Sequence, residues 1–222
     1  MSPVFEETGA ERHRAALSPG EMTLLSKLTE RQLSKGLATR LTGDANLTKL
    51  LAEGGSMDRI AKSKLGQDAR PVRAVIFDKR PGSNWALGWH QDRTIAVCER
   101  RDTPGFGRWS KKAGIIHVEP PFEYFENMVT LRAHLDDCGV DNAPLEIVPG
   151  SHLRGRVILR DAKALVKRAG TITCEAEAGD IWVYATAIVH ASKAAEVPKR
   201  RRVLHVDYSA ATLPGGLEWL GL

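Results

Sequence analysis

Trp85-Ala-Leu-Gly-Trp-His90-Gln-Asp92-Arg-Thr-Ile-Ala-Val-Cys98 reads as extended chain that sets an imidazole and a carboxylate two residues apart. Side chains alternate between the faces of a strand, so His90 and Asp92 project together. A neutral ring nitrogen beside an ionised carboxylate suits a first-row divalent metal of intermediate softness. A second, distant histidine would complete the 2-His-1-carboxylate facial set of non-haem iron. Taken alone the pair is weak evidence, because a surface histidine hydrogen-bonded to a neighbouring aspartate has the same spelling. The rest of the chain must supply a third ligand and an anchor for a cosubstrate.

Around this stretch, from Arg70-Pro71 onward, short apolar runs alternate with Gly and Pro turns such as Pro81-Gly82, Pro149-Gly150 and Gly179-Asp180. The pattern predicts strands over Val72–Asp78, Arg93–Glu99, Met128–Asp136, Leu145–Val148, Thr171–Glu177, Asp180–Tyr184, Ile188–Ser192 and Arg201–Tyr208. The segment from Asp102 to Gly114, rich in Gly and basic residues, is expected to be a lid or rim loop. Upstream, the first third reads helical. Ser18-Pro19-Gly20-Glu21 is a capping box with proline at the first helical position, followed by Met22, Leu25, Leu28 and Leu33 at approximate helical spacing. Further helices are expected over Asn46–Ala52 and from Ser56 to a stop at Gly66. Helices followed by many strands predict an α+β chain, a jelly-roll (double-stranded β-helix) core with N-terminal helices packed outside. At 222 residues the whole is expected to form one domain, 1–70 mainly helical and 71–210 the β core.

Composition narrows the function classes. Hydrophobic residues at 42% and charged ones at 27% are the mix of a globular chain rather than a disordered or membrane one. No apolar run approaches bilayer-spanning length, and the N-terminus shows neither a basic start nor an apolar core, so a cytoplasmic location is expected. Cys98, Cys138 and Cys174 are an odd number without C-x-x-C spacing and read as buried free thiols. The net charge of +5 is spread over Lys199-Arg-Arg-Arg202, Lys111-Lys112 and Arg100-Arg101. A nucleic-acid footprint would be more concentrated, so a small-molecule partner is favoured.

Four segments in order then carry a resemblance: Gly88-Trp-His90-Gln-Asp92; Asp141-Asn-Ala-Pro-Leu-Glu-Ile-Val-Pro-Gly-Ser-His152; Val189-His190-Ala-Ser192; and Arg200-Arg201-Arg202-Val-Leu-His-Val-Asp-Tyr208. Together, over about residues 70–210, they resemble the phytanoyl-CoA dioxygenase family. The resemblance implies a jelly-roll oxygenase using Fe(II), O2 and 2-oxoglutarate as cosubstrate, with His90, Asp92 and His190 as metal ligands and catalytic residues. It further implies Arg201 as the anchor of the cosubstrate's far carboxylate, with Ser192 assisting. Ala143 stands where the family often has Gly. Asp92 fills a ligand position that related halogenases give to a small residue, which implies hydroxylation of an aliphatic carbon rather than halogenation.

Elementary chemistry is compatible with that transfer. Three protein groups on one face of an octahedral iron leave room for a chelating ketoacid and O2. A distal carboxylate calls for a planar, permanently charged, bidentate donor, which is Arg rather than Lys. Alternation places Arg201, Val203, His205 and Asp207 on one face and Arg202, Leu204, Val206 and Tyr208 on the other, leaving Arg201 and Arg202 both open on pattern alone. Thr130, Arg132 and His134 share one face of their strand, and Thr130 and Arg132 are taken as cosubstrate-binding candidates. Asn84, Trp85, Trp89 and His117 could wall the pocket, Arg108, Lys111 and Lys112 could meet an anionic substrate, and His152 is expected to stabilise a turn. Three other readings stay open: a nucleic-acid or protein hydroxylase or demethylase of the same chemistry, a jelly-roll binding module without turnover, and a cupin-like zinc or manganese enzyme without ketoacid.

Overall fold

A computed structural model describes residues 5–32, 38–82 and 84–222. The chain opens with a short helix α1 (Phe5–Thr8), strand β1 (Ala10–His13), helix α2 (Pro19–Gln32), strand β2 (Ala38–Leu41) and helices α3 (Ala45–Leu50) and α4 (Ser56–Leu65). The capping box at α2 forms as spelled: Ser18 Oγ accepts from Glu21 N at 3.2 Å, and Glu21 Oε2 accepts from Ser18 N at 2.8 Å. Two orphan N–H groups are thereby satisfied. Asp44 caps α3 through Asn46 N and Leu47 N, and α4 stops at Gly66, which takes φ +85. Leu33, part of the expected α2 stripe, lies outside the described residues.

The β region follows: β3 (Arg70–Lys79), β4 (Leu87–His90), β5 (Ile95–Val97), β6 (Gly107–Lys112), β7 (Ile115–Glu119), the short helix α5 (Glu123–Glu126), β8 (Met128–His134) and β9 (Leu145–Ile147). Helix α6 (Leu159–Ala169) then leads to β10 (Ile172–Cys174), β11 (Ile181–Ala185), β12 (His190–Ser192) and β13 (Arg201–Ser209). Among the described residues these strands form an antiparallel six-stranded sheet in the order β1-β11-β8-β13-β3-β2, a four-stranded sheet β10-β9-β12-β4 and a three-stranded sheet β5-β7-β6. The first two are the paired sheets of the expected jelly-roll.

Period-2 alternation gives the six-stranded sheet two unlike faces. Ala74, Ile76, Leu131, Ala133, Ile181, Val183, Leu204 and Val206 point outward and bury against Leu25, Leu28, Leu47, Leu50 and Met57 of the N-terminal helices. Burying a Leu side chain stabilises by roughly 1.5–3 kcal/mol, so this layer is a major part of the core. The opposite face carries polar groups. The register puts Arg201 beside Lys79, His205 between Val75 and Arg132, and Asp207 between Arg73 and Thr130. A face so rich in charge is compatible with folding only where it lines a cavity or pairs internally.

Several sequence expectations are corrected. The first third is not purely helical, since β1 and β2 edge the large sheet. Their four-residue sequences, Ala-Glu-Arg-His and Ala-Thr-Arg-Leu, have no strand signal of their own and acquire structure by pairing with β11 and β3. The 102–114 segment is not wholly a loop: β6 and the unforeseen β7 make a hairpin. Its two turn residues, Ala113 and Gly114, both have positive φ, as a two-residue hairpin turn demands. Helix α6 was hidden by its charges, yet Ala162 and Leu165 are three apart and bury against Val148 and Val189. Cys98 is exposed rather than buried, at the surface where the C-terminal segment crosses, its Sγ 3.1 Å from Trp219 O. Cys138 and Cys174 are buried free thiols.

Candidate functional site

A cavity of about 560 Å³ lies against the polar face of the large sheet and is closed by the four-stranded sheet and α6. His90, Asp92, His190, Ser192, Arg132 and Arg201 all reach its wall. Strand register does the convergence: His190 of β12 is the direct cross-strand partner of His90 of β4, and the two rings lie 4.3 Å apart. Residues one hundred apart in sequence become neighbours because β4 and β12 pair antiparallel. Asp92 arrives differently from the expectation. β4 ends at His90, and Asp92 sits in the irregular connection to β5 rather than on a continuous strand. The strand breaks at Gln91, whose amide is drawn inward to Ala187 O at 2.7 Å and Gly155 O at 3.0 Å while its Oε1 accepts from Val157 N.

The donor atoms suit a divalent metal. Nδ1 of His90 is 2.7 Å from Gly88 O and Nδ1 of His190 is 3.0 Å from Ile188 O, which fixes both rings in the tautomer that leaves Nε2 free as a donor. Burial brings His190 down to about 4 despite the opposing pull of Asp92, so its ring is neutral at physiological pH. Asp92 Oδ2 is buried without a hydrogen-bond partner. Burial works to raise the Asp92 pKa, but the Arg73 guanidinium, 3.8 Å away, together with His190 and His205, more than offsets it, so the carboxyl sits below its ordinary value. Among the described residues no three His, Cys, Asp or Glu side chains stand close enough together to hold a metal ion as they are placed. His90 and His190 are in ring contact, and Asp92 shares their cavity wall.

Behind Asp92 lies a network that sequence reading missed. Arg73 Nε donates to Asp207 Oδ2 at 2.6 Å, and Asp207 Oδ1 accepts from Thr130 Oγ1 at 2.9 Å and lies 3.0 Å from His205 Nε2. Burial opposes the Asp207 charge, but Arg73 and His205 overcome it and hold the carboxyl well below the usual range. Arg73 is thus clamped between two carboxylates and orients Asp92. This network corrects the expectation for Thr130, whose hydroxyl is spent on Asp207 and Thr186 and does not reach the cavity wall. The short threonine sits directly across from Asp207, whose longer side chain covers it. His134, on the same face, is likewise buried away from the wall, its ring held neutral by burial.

The other side of the cavity is cationic. Arg201 is 2% exposed, its Nη1 donates to Ala143 O, and its Nε is buried without a partner. Arg132 Nε is in the same position. Lys79 Nζ donates to Trp85 O at 2.7 Å and to Ser192 Oγ at 3.1 Å, and Ser192 Oγ lies 3.2 Å from Ala143 O. Burial, with Arg201 and Arg132 nearby, lowers Lys79 to about 8. No carboxylate pairs with Arg201, Arg132 or Lys79 among the described residues. Three buried cations without a counter-ion are costly unless a ligand supplies the negative charge. Ala143, at φ +53, occupies a left-handed conformation, the backbone state in which glycine carries no steric penalty. Arg202 points the other way and pairs with Asp136, Nε to Oδ2 at 2.8 Å.

Other candidates separate on geometry. Trp85 lines the cavity with Lys79 Nζ 4.9 Å from its ring centroid, Trp89 packs near α6, and Asn84 is occupied by Ala195 backbone. His117, on strand β7 of the hairpin, is buried and does not line the cavity. Lys112 is on the cavity wall, whereas Arg108 and Lys111 are not. The ring of His152 packs against Gly9, which has φ +78 and no room for a Cβ. Arg73 and Lys79 could have been found from sequence, because Arg73, Val75, Phe77 and Lys79 alternate with the helix-facing Ala74 and Ile76 on one strand.

The family model described as Phytanoyl-CoA dioxygenase (PhyH) matches residues 6–203. No curated protein matches the sequence. Among similar solved structures is EctD from S. alaskensis with 2-oxoglutarate and 5-hydroxyectoine, with TM-score 0.70 and 15% identity over 98% of this chain and 77% of that one. SnoK from nogalamycin biosynthesis, described as a non-heme alpha ketoglutarate dependent carbocyclase, gives TM-score 0.68 and 19% identity over 98% and 85%. HygX from Streptomyces hygroscopicus with nickel and 2-oxoglutarate bound gives 0.64 and 15% over 92% and 84%. At these identities the likeness is one of fold, and the jelly-roll is shared. The family match, spanning nearly the whole chain, places the protein in the phytanoyl-CoA dioxygenase family.

Proposed function

We propose that the protein is an Fe(II)- and 2-oxoglutarate-dependent oxygenase that hydroxylates an aliphatic carbon of a small or medium organic substrate. The observation that carries this reading is one cavity whose wall holds the contacting His90 and His190, Asp92, and an Arg201 guanidinium with no carboxylate partner. Nε2 of His90, Nε2 of His190 and the Asp92 carboxylate would hold the metal. When bound, the metal with its ketoacid supplies the oxidising chemistry. The chain's own residues bind and aim. Arg201 and Arg132 would take the far carboxylate of the cosubstrate, Ser192 and the Ala143 carbonyl brace Arg201 and Lys79, and Arg73 holds Asp92 in place. The apolar wall of Phe122, Phe125 and Val157 excludes water from the substrate.

The test is anaerobic addition of Fe(II) and then 2-oxoglutarate, with a visible metal-to-ligand charge-transfer band as the expected result. A folded, metal-loaded sample without that band would remove the reading. Product mass then distinguishes outcomes: hydroxylation adds one oxygen atom, whereas a ring closure removes two hydrogens.

Lys79 predicts a pH dependence with a definite sign. A bound dicarboxylate favours the charged ammonium, which the free protein loses above about pH 8. Cosubstrate affinity should therefore be flat below that pH and fall by up to about tenfold per pH unit above it. Equilibrium dialysis across that range checks this, and Lys79→Met should flatten the curve.

A further inference from the structure

A second group of cations faces the same cavity, apart from the Arg201 side. β2 is an edge strand on which Leu41 buries among the helices while Arg40, opposite Val75, turns to the cavity face. Arg40 Nε is buried without a hydrogen-bond partner. Lys112, at the end of β6, has one partner for its Nζ among the described residues, the neutral Thr94 hydroxyl at 3.2 Å. Neighbouring acids are already engaged. Asp207 and Asp92 face Arg73, and Glu119 is held by Arg156 with Arg108 at 3.6 Å and Arg93 at 3.8 Å. The surroundings also oppose the charges: burial and then Arg73 lower the Arg40 pKa, and burial, Arg40 and Arg73 lower that of Lys112. Asp92 offsets this only in part at Lys112, and neither cation has an acid in ion-pair contact among the described residues, so the pair costs stability unless a ligand offsets it.

We infer that Arg40 and Lys112 form the anion subsite for the substrate, which has an apolar body and one carboxylate or phosphate group. The apolar body would lie along Phe122, Phe125 and Val157, and the anion would fix which carbon is presented to His90, Asp92 and His190. The inference rests on the oxygenase reading only in calling this ligand the substrate; the anion subsite itself requires no iron.

Isothermal calorimetry with octanoate, octyl phosphate and uncharged octanamide tests it on the full chain. Octanoate or octyl phosphate should bind wild type at least tenfold more tightly than octanamide. The preference should vanish in Arg40→Gln/Lys112→Gln and survive in Arg201→Ala, which separates this subsite from the cosubstrate anchor. Lys112→Gln alone, on the outer hairpin, should retain the wild-type melting temperature and lose part of the preference, so a fold defect at Arg40 cannot mimic the result. Equal binding of the three probes, no binding of any, or a preference untouched by the double variant overturns the inference. A charge preference in a protein that gives no charge-transfer band would sink the oxygenase reading and leave the anion subsite standing. The band without the preference would do the reverse.

Discussion

His190→Ala is expected to abolish iron retention while leaving a folded protein. In the proposed site His190 supplies one of three ligating side chains, and even partners that only orient a ligand are typically worth 10- to 100-fold in metal affinity, so loss of the ligand itself should exceed about 100-fold. The structural cost is smaller. His190 is buried and pairs through the backbone of β12 with both β9 and β4, and the substitution loses the ring's packing on His90 and Tyr184 and the contact of its Nδ1 with Ile188 O. Leaving that carbonyl unpaired costs about 1–3 kcal/mol, less than the stability of an ordinary domain. Metal content after gel filtration and a melting curve read the two effects separately. A variant that unfolds, beside a parent that never binds iron, would identify His190 as a core residue and nothing more.

The neighbouring arginines should behave in opposite ways. Arg201→Ala is expected to weaken 2-oxoglutarate binding by about 2–5 kcal/mol, roughly thirtyfold to several thousandfold, as when one partner of a buried charge pair is truncated. Without ligand, the same substitution should leave the melting temperature unchanged or raise it. Arg201 is buried with a carbonyl as partner and no carboxylate, and burial followed by repulsion from Arg132 lowers its pKa. Arg202→Ala should leave cosubstrate affinity intact and cost stability. Arg202 makes a two-pronged pair with Asp136, whose Oδ2 also accepts the Arg202 backbone N–H at 2.8 Å. The pair is partly exposed, so the loss should be about 1 kcal/mol. Charge-transfer titration and thermal unfolding of the two variants check the contrast. Equal loss of 2-oxoglutarate affinity in both would contradict the assignment of the anchor.

Both predictions turn on residues whose orientation the local pattern left undecided. Alternation along Arg201–Tyr208 sorted the side chains into two faces without saying which face met the cavity. Pairing with β3 and β8 decides it, because Leu204 and Val206 must join the helix-covered core and Arg201, His205 and Asp207 are thereby turned to the other side. The same pairing removes Thr130 from the candidate cosubstrate residues and brings in Arg73 and Lys79.

By itself the sequence determined those features that depend on short-range chemistry. The capping box of α2, the Gly66 stop, the period-2 strands of the core and the motifs around His90, His190 and Arg201 are all spelled within a few residues, and the family match extends over them. Tertiary structure alone decided the rest. Short strands such as β1, β2 and β7 depend on partners distant in sequence. Asp92 leaves its strand because Gln91 is anchored to Gly155 and Ala187, and no local signal reports a contact made 64 or 96 residues away. The surplus of unpaired cations emerged only once each acid had been assigned its partner. Charge pairing depends on distance in space, to which the order of residues along the chain is nearly blind.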